Sequence, residues 1–371
     1  MPESTTWSVA VTAKAPPVIA KAFIAHHLQL GASEIFIFFD DPLDPAYDLV
    51  AGMQRVHAVR CDAAHWQAAT APGVAHWKPE SRERPIGLQE RQCVNAGIAK
   101  LRCSATWICH IDIDEFLLPR TSVRHTLATV PGVADAVRLH VCENVYGSFP
   151  RSYADVFRGP FKKALPAGQD GTVAAALLYG DEGAHLSRGM QGYHQGKLFV
   201  RAAADCNIFT KSALYRTPRK LSHRLQDRKL ALWTSVRVMP YQQEETLLLH
   251  FFNMGFRDWC SKHLKRFDST QGGSKDESGQ ARWVAFKDAA EHSHEALSGV
   301  FENLNMLSTE QARTLQSLGA LVEARLDLES SVEAVFGPGD HGFDALLPEM
   351  PFAEIRETLA GFEAGRATAA S

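Results

Sequence analysis

Cysteine is sparse and poorly placed for a framework. The 371 residues hold seven, at Cys61, Cys93, Cys103, Cys109, Cys142, Cys206 and Cys260, an odd number without a Cys-x-x-Cys pair. That argues against a disulfide scaffold or a zinc ribbon and leaves reduced, structural thiols. Long apolar runs are missing too: no stretch approaches the roughly 20 apolar residues that span a bilayer. The start, MPESTTWSVAV, has neither the basic end nor the apolar run of a secretory signal. The expectation is a cytoplasmic protein with no transmembrane segment. Neither sign of charge dominates, since 39 Lys and Arg face 42 Asp and Glu for a formal net charge of -3. Such a chain has no general attraction to nucleic acid, and no nucleic-acid partner is expected. Internal repeats are absent. What is present is a globular composition, 45% hydrophobic and 22% charged, enough for a substantial core in one large domain or two small ones.

The opening reads as a βαβ unit. Trp7 to Val11 forms a first strand, and Pro16-Pro17 suits a helix start, where a missing N–H costs nothing. Gly31 stands where a left-handed helix cap is expected. Glu34 to Phe39 follows, an unbroken apolar run of the kind buried on both faces of a parallel sheet. The carboxyl ends of both strands then open on one edge, where open α/β sheets bind ligands. Asp40 and Asp41 fall there; Asp-Asp-Pro is also an ordinary turn. Arg55 to Cys61 is a third strand, His65 to Arg84 an irregular excursion, and Pro85 to Arg102 a helix. Alternating strand and helix implies a Rossmann-like α/β fold, a largely parallel sheet layered between helices.

Downstream, Ser122 to Pro131 reads as a helix and Ala134 to Val141 as a strand, and Arg158 to Gly192 as loop-rich. Leu198 to Ala202 and Thr246 to Phe252 are strands, and Phe256 to Phe267 is an amphipathic helix. The polar, glycine-rich Asp268 to Gln280 reads as a flexible linker. Residues 281–371 form a helical C-terminal region whose last five residues are a disordered end.

The chemistry concentrates in Trp107 to Leu117, an apolar strand that runs into Asp112-Ile113-Asp114-Glu115. Carboxylates beside an apolar strand are costly unless they meet a cation or a hydrogen-bonded ligand. If the strand stays extended, His110, Asp112 and Asp114 share one face and Ile111, Ile113 and Glu115 the other. Paired oxygen ligands suit Mg²⁺ or Mn²⁺. The plain alternative is a solvated acidic edge.

The neighbourhood of that motif resembles glycosyltransferase family 2, with its A-type glycosyltransferase fold, in the branch whose strand reads W-I-x-H-I-D-x-D-E-F-L. The resemblance spans roughly residues 7–267. It is carried, in order, by SVAVTAKAPPVIAKAFIAHHLQLGASEIFIFFDDPLDP, RQCVNAGIAK, HIDIDEFLLP, QGKLFVRA, KLSHR and LLLHFF. One departure is visible: many relatives carry an Asn-Glu pair after the first strand, where this chain has Thr12-Ala13-Lys14-Ala15. The resemblance implies a transferase domain at 1–267, with a nucleotide-sugar half at 1–120 and an acceptor half at 121–267. The donor is a nucleotide-sugar, UDP-sugar favoured, and the acceptor a glycan or a lipid-linked glycan, with inversion at the anomeric carbon.

On that resemblance Asp112 contacts the ribose or the metal, Asp114 holds Mn²⁺ or Mg²⁺, and His250 completes the metal site. His223 has a similar status with less support. His250 taken alone reads more readily as a hydrogen-bonded core histidine than as a ligand. Asp40 and Asp41 would recognise the nucleoside, and Arg91, Asn95, Lys197 and Arg201 are candidates for base, ribose or phosphates, with surface charge the alternative. His26 and His27 match the "H-x-x-L-G" turn and read as structural. Inversion needs a base for the acceptor hydroxyl; Glu115, Glu143, Asp181 and Glu182 are candidates. The basic stretch Lys262 to Phe267 is usually solvated, and a peripheral membrane contact is its other reading. Rival readings are a nucleotidyltransferase, whose glycine-rich phosphate loop TAKAPP does not supply, and a degenerate transferase-like binding module.

Overall fold

The computed structural model describes residues 5–69, 83–208, 213–215, 238–239, 245–267 and 277–369. In chain order the elements are β1 (Trp7–Ala13), α1 (Pro17–Gln29), β2 (Glu34–Phe39), α2 (Ala46–Val50), β3 (Val56–Arg60), α3 (Ala63–Ala69), α4 (Leu88–Arg102), β4 (Trp107–His110), β5 (Glu115–Pro119), α5 (Val123–Ala128), β6 (Ala136–Arg138), β7 (His140–Asn144), α6 (Tyr153–Phe157), β8 (Phe161–Lys163) and α7 (Gln169–Tyr179). A 3-10 helix, Gly180–His185, follows, then β9 (Leu198–Arg201), β10 (Cys206–Ile208), β11 (Ala213–Tyr215), β12 (Val238–Met239), β13 (Thr246–His250), α8 (Phe256–Phe267), α9 (Glu277–His292), α10 (His294–Asn305), α11 (Thr309–Ser317), β14 (Leu321–Val322), α12 (Leu328–Phe336) and α13 (Phe352–Ala369). They form two compact units, one of Met1–His140, Gln195–Leu248 and Leu328–His341, the other of Val141–His194, Leu249–Asp327 and Gly342–Ser371.

The first unit is built on a sheet in the order β12-β6-β9-β4-β1-β2-β3. β1 pairs in parallel with β2 and β4, and β2 with β3, while β9 runs antiparallel to β4 and β6. The order β3-β2-β1-β4 is that of a doubly wound fold, with its switch point between β1 and β4. Alternation sends Ala10, Phe36, Phe38 and Ile108 into a core with Val94 and Ile98 of α4. The other set, Val9, Val11, Ile35, Ile37 and Cys109, is buried as well, which accounts for the uninterrupted apolar runs. α1 starts on Pro17 and ends before Gly31, whose φ of 92 is the expected left-handed cap.

The strands step together at their carboxyl ends. The Asp40 N–H donates to Ala13 O, the Cys61 N–H to Phe39 O and the Ile111 N–H to Ala10 O. Because β9 is antiparallel to β4, Lys197, one residue before it, falls at that same edge.

In the second unit β14, β8 and β7 are antiparallel neighbours, and Glu143 lies opposite Lys162. Capping boxes at Ser152 with Asp155 and Ser308 with Gln311 start α6 and α11. Aromatic rings close its core: Phe251 packs on Phe157 and Phe161, and Trp259 on Phe286 and Phe301.

Several sequence expectations are corrected. β4 ends at His110, and a turn replaces the extended strand through Asp114. Arg158 to Gly192 is more regular than its glycines imply: β8 and α7 lie in it, with Gly168 (φ 80) and Gly180 (φ 59) bounding a helix that buries Ala174, Ala175, Leu178 and Tyr179. The strand read at Ala134 to Val141 divides at Leu139 into β6 and β7. The excursion after His65 begins in helix α3, and 70–82 lies outside the described residues. So does 268–276 of the linker, whose last residues open α9, while α13 runs through Ala367 to Ala369 of the expected disordered end and 370–371 lie outside the described residues. Among the described residues no helix is long and apolar enough to cross a membrane.

Candidate functional site

The acidic turn is closed from within. The Glu115 N–H donates to Asp112 O at 3.1 Å, and the Asp112 N–H donates to Glu115 Oε2 at 2.7 Å. Glu115 is therefore turned toward Asp112, not to the opposite face, and it is fully buried. The Asp112 carboxylate receives Gln92 Nε2 on Oδ1 at 2.8 Å and Lys197 Nζ on Oδ2 at 2.7 Å. Lys197 also reaches Glu115 Oε2 at 3.4 Å, with its side chain only 2% exposed. Burial pulls down the pKa of the Lys197 ammonium, but Asp112 and then Glu115 more than offset this and leave it above its ordinary value. His110, buried beside this group, has neither ring nitrogen hydrogen-bonded. Its pKa is lowered to about 4 by burial, then by the Lys197 charge.

Farther along the edge, at the ends of β1, β2 and β3, a cavity of about 550 Å³ is lined by Lys14, Asp40, Asp41, Cys61, Trp66 and Arg84 among others. Arg91 holds Asp40 side-on and also donates to the carbonyls of Pro85 and Ile86. Arg84 reaches Asp40 Oδ2 at 2.9 Å with its side chain 48% exposed. Asp41 accepts the Leu43 N–H and pairs with Lys14 at 3.2 Å; these bonds, the Leu43 one first, lower its pKa. Asp41 is thus both a turn residue and part of the cavity wall. Burial raises the Cys61 thiol to about 12, so it is protonated and no nucleophile.

Asn95 is a buried cross-link, donating to Thr12 Oγ1 at 3.0 Å and bonding His65 Nε2 through Oδ1 at 2.9 Å. Arg201 donates to the carbonyls of Ala134, Val130 and Pro131 and lies over the Trp107 ring, a structural role. His26 Nε2 bonds Leu117 O and His27 Nδ1 bonds Phe23 O, both rings buried. Sequence reasoning missed Arg84, Gln92 and the placement of Lys14. Gln92 had a signal, standing one residue after Arg91 in RQCVNAG, whereas Arg84 sits in a segment without periodicity.

In the second unit Glu143 is fully buried. Its Oε1 accepts the Gln191 N–H at 3.0 Å and its Oε2 the Gly192 N–H at 2.6 Å, with Lys162 Nζ 3.4 Å from Oε1. Gln191 in turn donates to Asn305 Oδ1 and accepts from Trp259 Nε1. This network holds the loop at Gly192, where an added Cβ would meet His250 Cε1 at 3.0 Å and Glu143 Oε2 at 3.1 Å. His250 is buried and packs against the rings of Tyr193 and Phe252. Asp181 is exposed and Glu182 accepts from Asn303 Nδ2. Lys262, in the basic stretch, is held by Asp258 and Phe252 O. His223 lies outside the described residues.

Glu115 and Glu143, both candidates for the base, are buried, hydrogen-bonded and ion-paired. The donors at Asp112 also fit a divalent cation poorly. Both oxygens are engaged, and a cation would face the Lys197 ammonium. Among the described residues no group of three or more His, Cys, Asp or Glu is placed to hold a metal ion.

No family model matches the sequence, and no curated protein matches it. Among solved structures the chain is similar to HddC from Yersinia pseudotuberculosis, at 11% identity and a TM-score of 0.31, over 66% of this chain and 93% of that one. It is similar also to S. aureus TarS 1-349, at 10% identity and a TM-score of 0.31, over 88% of this chain and 89% of that one. Overlap at this level carries no argument, and the reading of the site rests on its own side chains.

Proposed function

We propose that the chain is a glycosyltransferase that takes a nucleotide-sugar, UDP-sugar favoured, at the carboxyl edge of the first unit's sheet. It passes the sugar to a glycan or lipid-linked acceptor with inversion. The observation that carries the reading is the cavity with Lys14, Asp40, Asp41 and Arg84 on its wall, on the same sheet edge as the acidic turn after β4. A doubly wound sheet binds its ligand at that edge, and its volume suits a nucleoside. In this reading Asp40 and Asp41, held by Arg91, Arg84 and Lys14, present acceptors to base and ribose, while Arg84 and Lys14 offer exposed cations to a diphosphate. Asp112, fixed by Gln92 and Lys197, faces the ribose. Asp114 is a further carboxylate of the turn, and with Glu115 and Glu143 engaged, Asp181 and Glu182 stay as proposals for the base. The divalent ion implied by the family resemblance enters no step, because the donor set at Asp112 does not suit it.

Titration calorimetry of the full chain with UDP, GDP, CDP, ADP and dTDP tests the reading, followed by release of the nucleoside diphosphate from the matching sugar donor. Binding without any release or transfer favours the binding-module alternative. No binding of any nucleotide overturns the proposal.

A further inference from the structure

The acidic turn already contains a cation. Lys197 Nζ lies 2.7 Å from Asp112 Oδ2 and 3.4 Å from Glu115 Oε2, on a side chain 2% exposed. A divalent ion at paired carboxylates performs two tasks: it neutralises them, and it offers positive charge to an approaching diphosphate. Lys197 performs the first from inside the protein, at a fixed position 85 residues away in sequence. Its ammonium is secured from below by the buried Glu115, and the second Asp112 oxygen is closed by Gln92. His110, close by, is buried with neither ring nitrogen hydrogen-bonded. A metal arriving at Asp112 Oδ2 would have to displace a buried ammonium that Glu115 Oε2 also faces.

We propose that Lys197 stands in this protein where a divalent ion would otherwise sit, so that the nucleoside diphosphate binds without metal and the leaving diphosphate is met by fixed protein cations. The proposal rests on the nucleotide-sugar reading and is separable from it. The assignment also gives a reason for the polarity of this edge. A lysine is a compact, strongly hydrated point charge, and it is tolerated in the interior only beside carboxylates that stay ionised. Asp112 and Glu115 are thus the charge partners of Lys197.

The test uses the metal-stripped full chain. Mn²⁺ alone, titrated by calorimetry and by electron paramagnetic resonance, should show no site tighter than millimolar, and a stoichiometric micromolar site overturns the proposal. The nucleoside diphosphate that binds should do so in EDTA and in Mn²⁺ with affinities within about threefold, a difference small beside the tenfold that marks a lost charge contact. Affinity that rises tenfold or more with Mn²⁺ overturns the proposal and leaves the nucleotide-sugar reading standing. No nucleotide binding in either condition overturns both. Lys197→Met leaves two carboxylates without their cation and should gain a Mn²⁺-dependent rise in Tm that the wild type lacks; a folded Lys197→Met protein indifferent to Mn²⁺ counts against the proposal. If that variant does not fold, Lys197→Arg, which keeps the charge, decides: it should remain indifferent to Mn²⁺, and a metal requirement there overturns the assignment.

Discussion

Arg91 grips Asp40 side-on, with Nε 2.7 Å from Oδ1 and Nη2 2.9 Å from Oδ2. Both side chains are about one-tenth exposed, at 11% and 10%. Nη1 is spent on the carbonyls of Pro85 and Ile86, so a single guanidinium ties the end of β2 to the loop that enters α4. Lysine cannot reproduce a planar fork. Arg91→Lys is therefore expected to lose much of the roughly 3–5 kcal/mol that breaking a buried pair costs, measured by urea denaturation. Arg84, half-exposed on the same carboxylate, should behave differently: Arg84→Ala should cost no more than about 1 kcal/mol of stability and should weaken nucleotide binding. Equal stability losses for the two variants would mean that the cavity wall is scaffold throughout.

How much of this was legible in sequence depends on the range of the interaction. The apolar run Glu34–Phe39, the proline start of α1 and the Gly31 cap are local signals, and β1-α1-β2 follows from them. Asp112 stands out because it follows Trp107-Ile108-Cys109-His110. Its partner Lys197 does not, because an ion pair across 85 residues leaves no periodic trace. The end of β4 is hidden for a related reason: alternation continues in the letters after His110, whereas the turn there is closed by the Glu115 N–H on Asp112 O and by the buried Glu115 carboxylate on the Asp112 N–H. Glu143 looked like a free carboxylate for the same want of long-range information, since Lys162, Gln191 and Gly192 complete it.

Acid should weaken the fold through α1. His26, bonded to Leu117 O at 2.7 Å, has its pKa lowered to about 4 by burial, which that bond only partly offsets. His27 is lowered by burial and then by His26. In the unfolded chain both titrate near 6.5. Above that pH neither state takes up the proton and stability is level. Between about 6.5 and 4 the unfolded chain binds protons that the folded one refuses, so stability falls as pH falls, by about 1.4 kcal/mol per unit for each histidine. Below about 4 the His26 loss is complete. Denaturation midpoints measured from pH 7.5 to 4.5 check this, and His26→Gln should flatten the slope by about one proton. An unchanged slope in that variant would mean that His26 is not the source.

Glu143 separates a scaffold role from a catalytic one. Glu143→Gln keeps one carbonyl acceptor for the Gln191 or Gly192 N–H, but it strips the buried Lys162 of its carboxylate. Removing one member of a buried pair costs roughly 3–5 kcal/mol, so the midpoint of urea denaturation should drop clearly. A double variant, Glu143→Gln with Lys162→Met, should recover part of the loss, because the stranded charge is gone. A general base would give the reverse pattern, with stability unchanged and sugar transfer abolished.

Lys14 directly follows β1, and its ammonium faces Asp41 at 3.2 Å with side-chain exposures of 71% and 39%. Water screens such a pair, so it adds little to folding, and Lys14→Ala should leave Tm nearly unchanged. Lys14 also lies on the cavity wall, and in the proposed function it serves as a cation for the diphosphate. That attraction is electrostatic and fades with salt, since the screening length shrinks from about 30 Å at 0.01 M to about 8 Å at 0.15 M. Nucleotide affinity of the wild type should therefore fall with ionic strength, and Lys14→Ala should bind more weakly at low salt and show a shallower salt dependence. Lys14→Glu should lose more again, because it sets a negative charge beside Asp41 at the cavity mouth. Calorimetry at two salt concentrations decides the matter. If Lys14→Ala matches the wild type at both, Lys14 is only the surface partner of Asp41, and the diphosphate lies elsewhere on the edge.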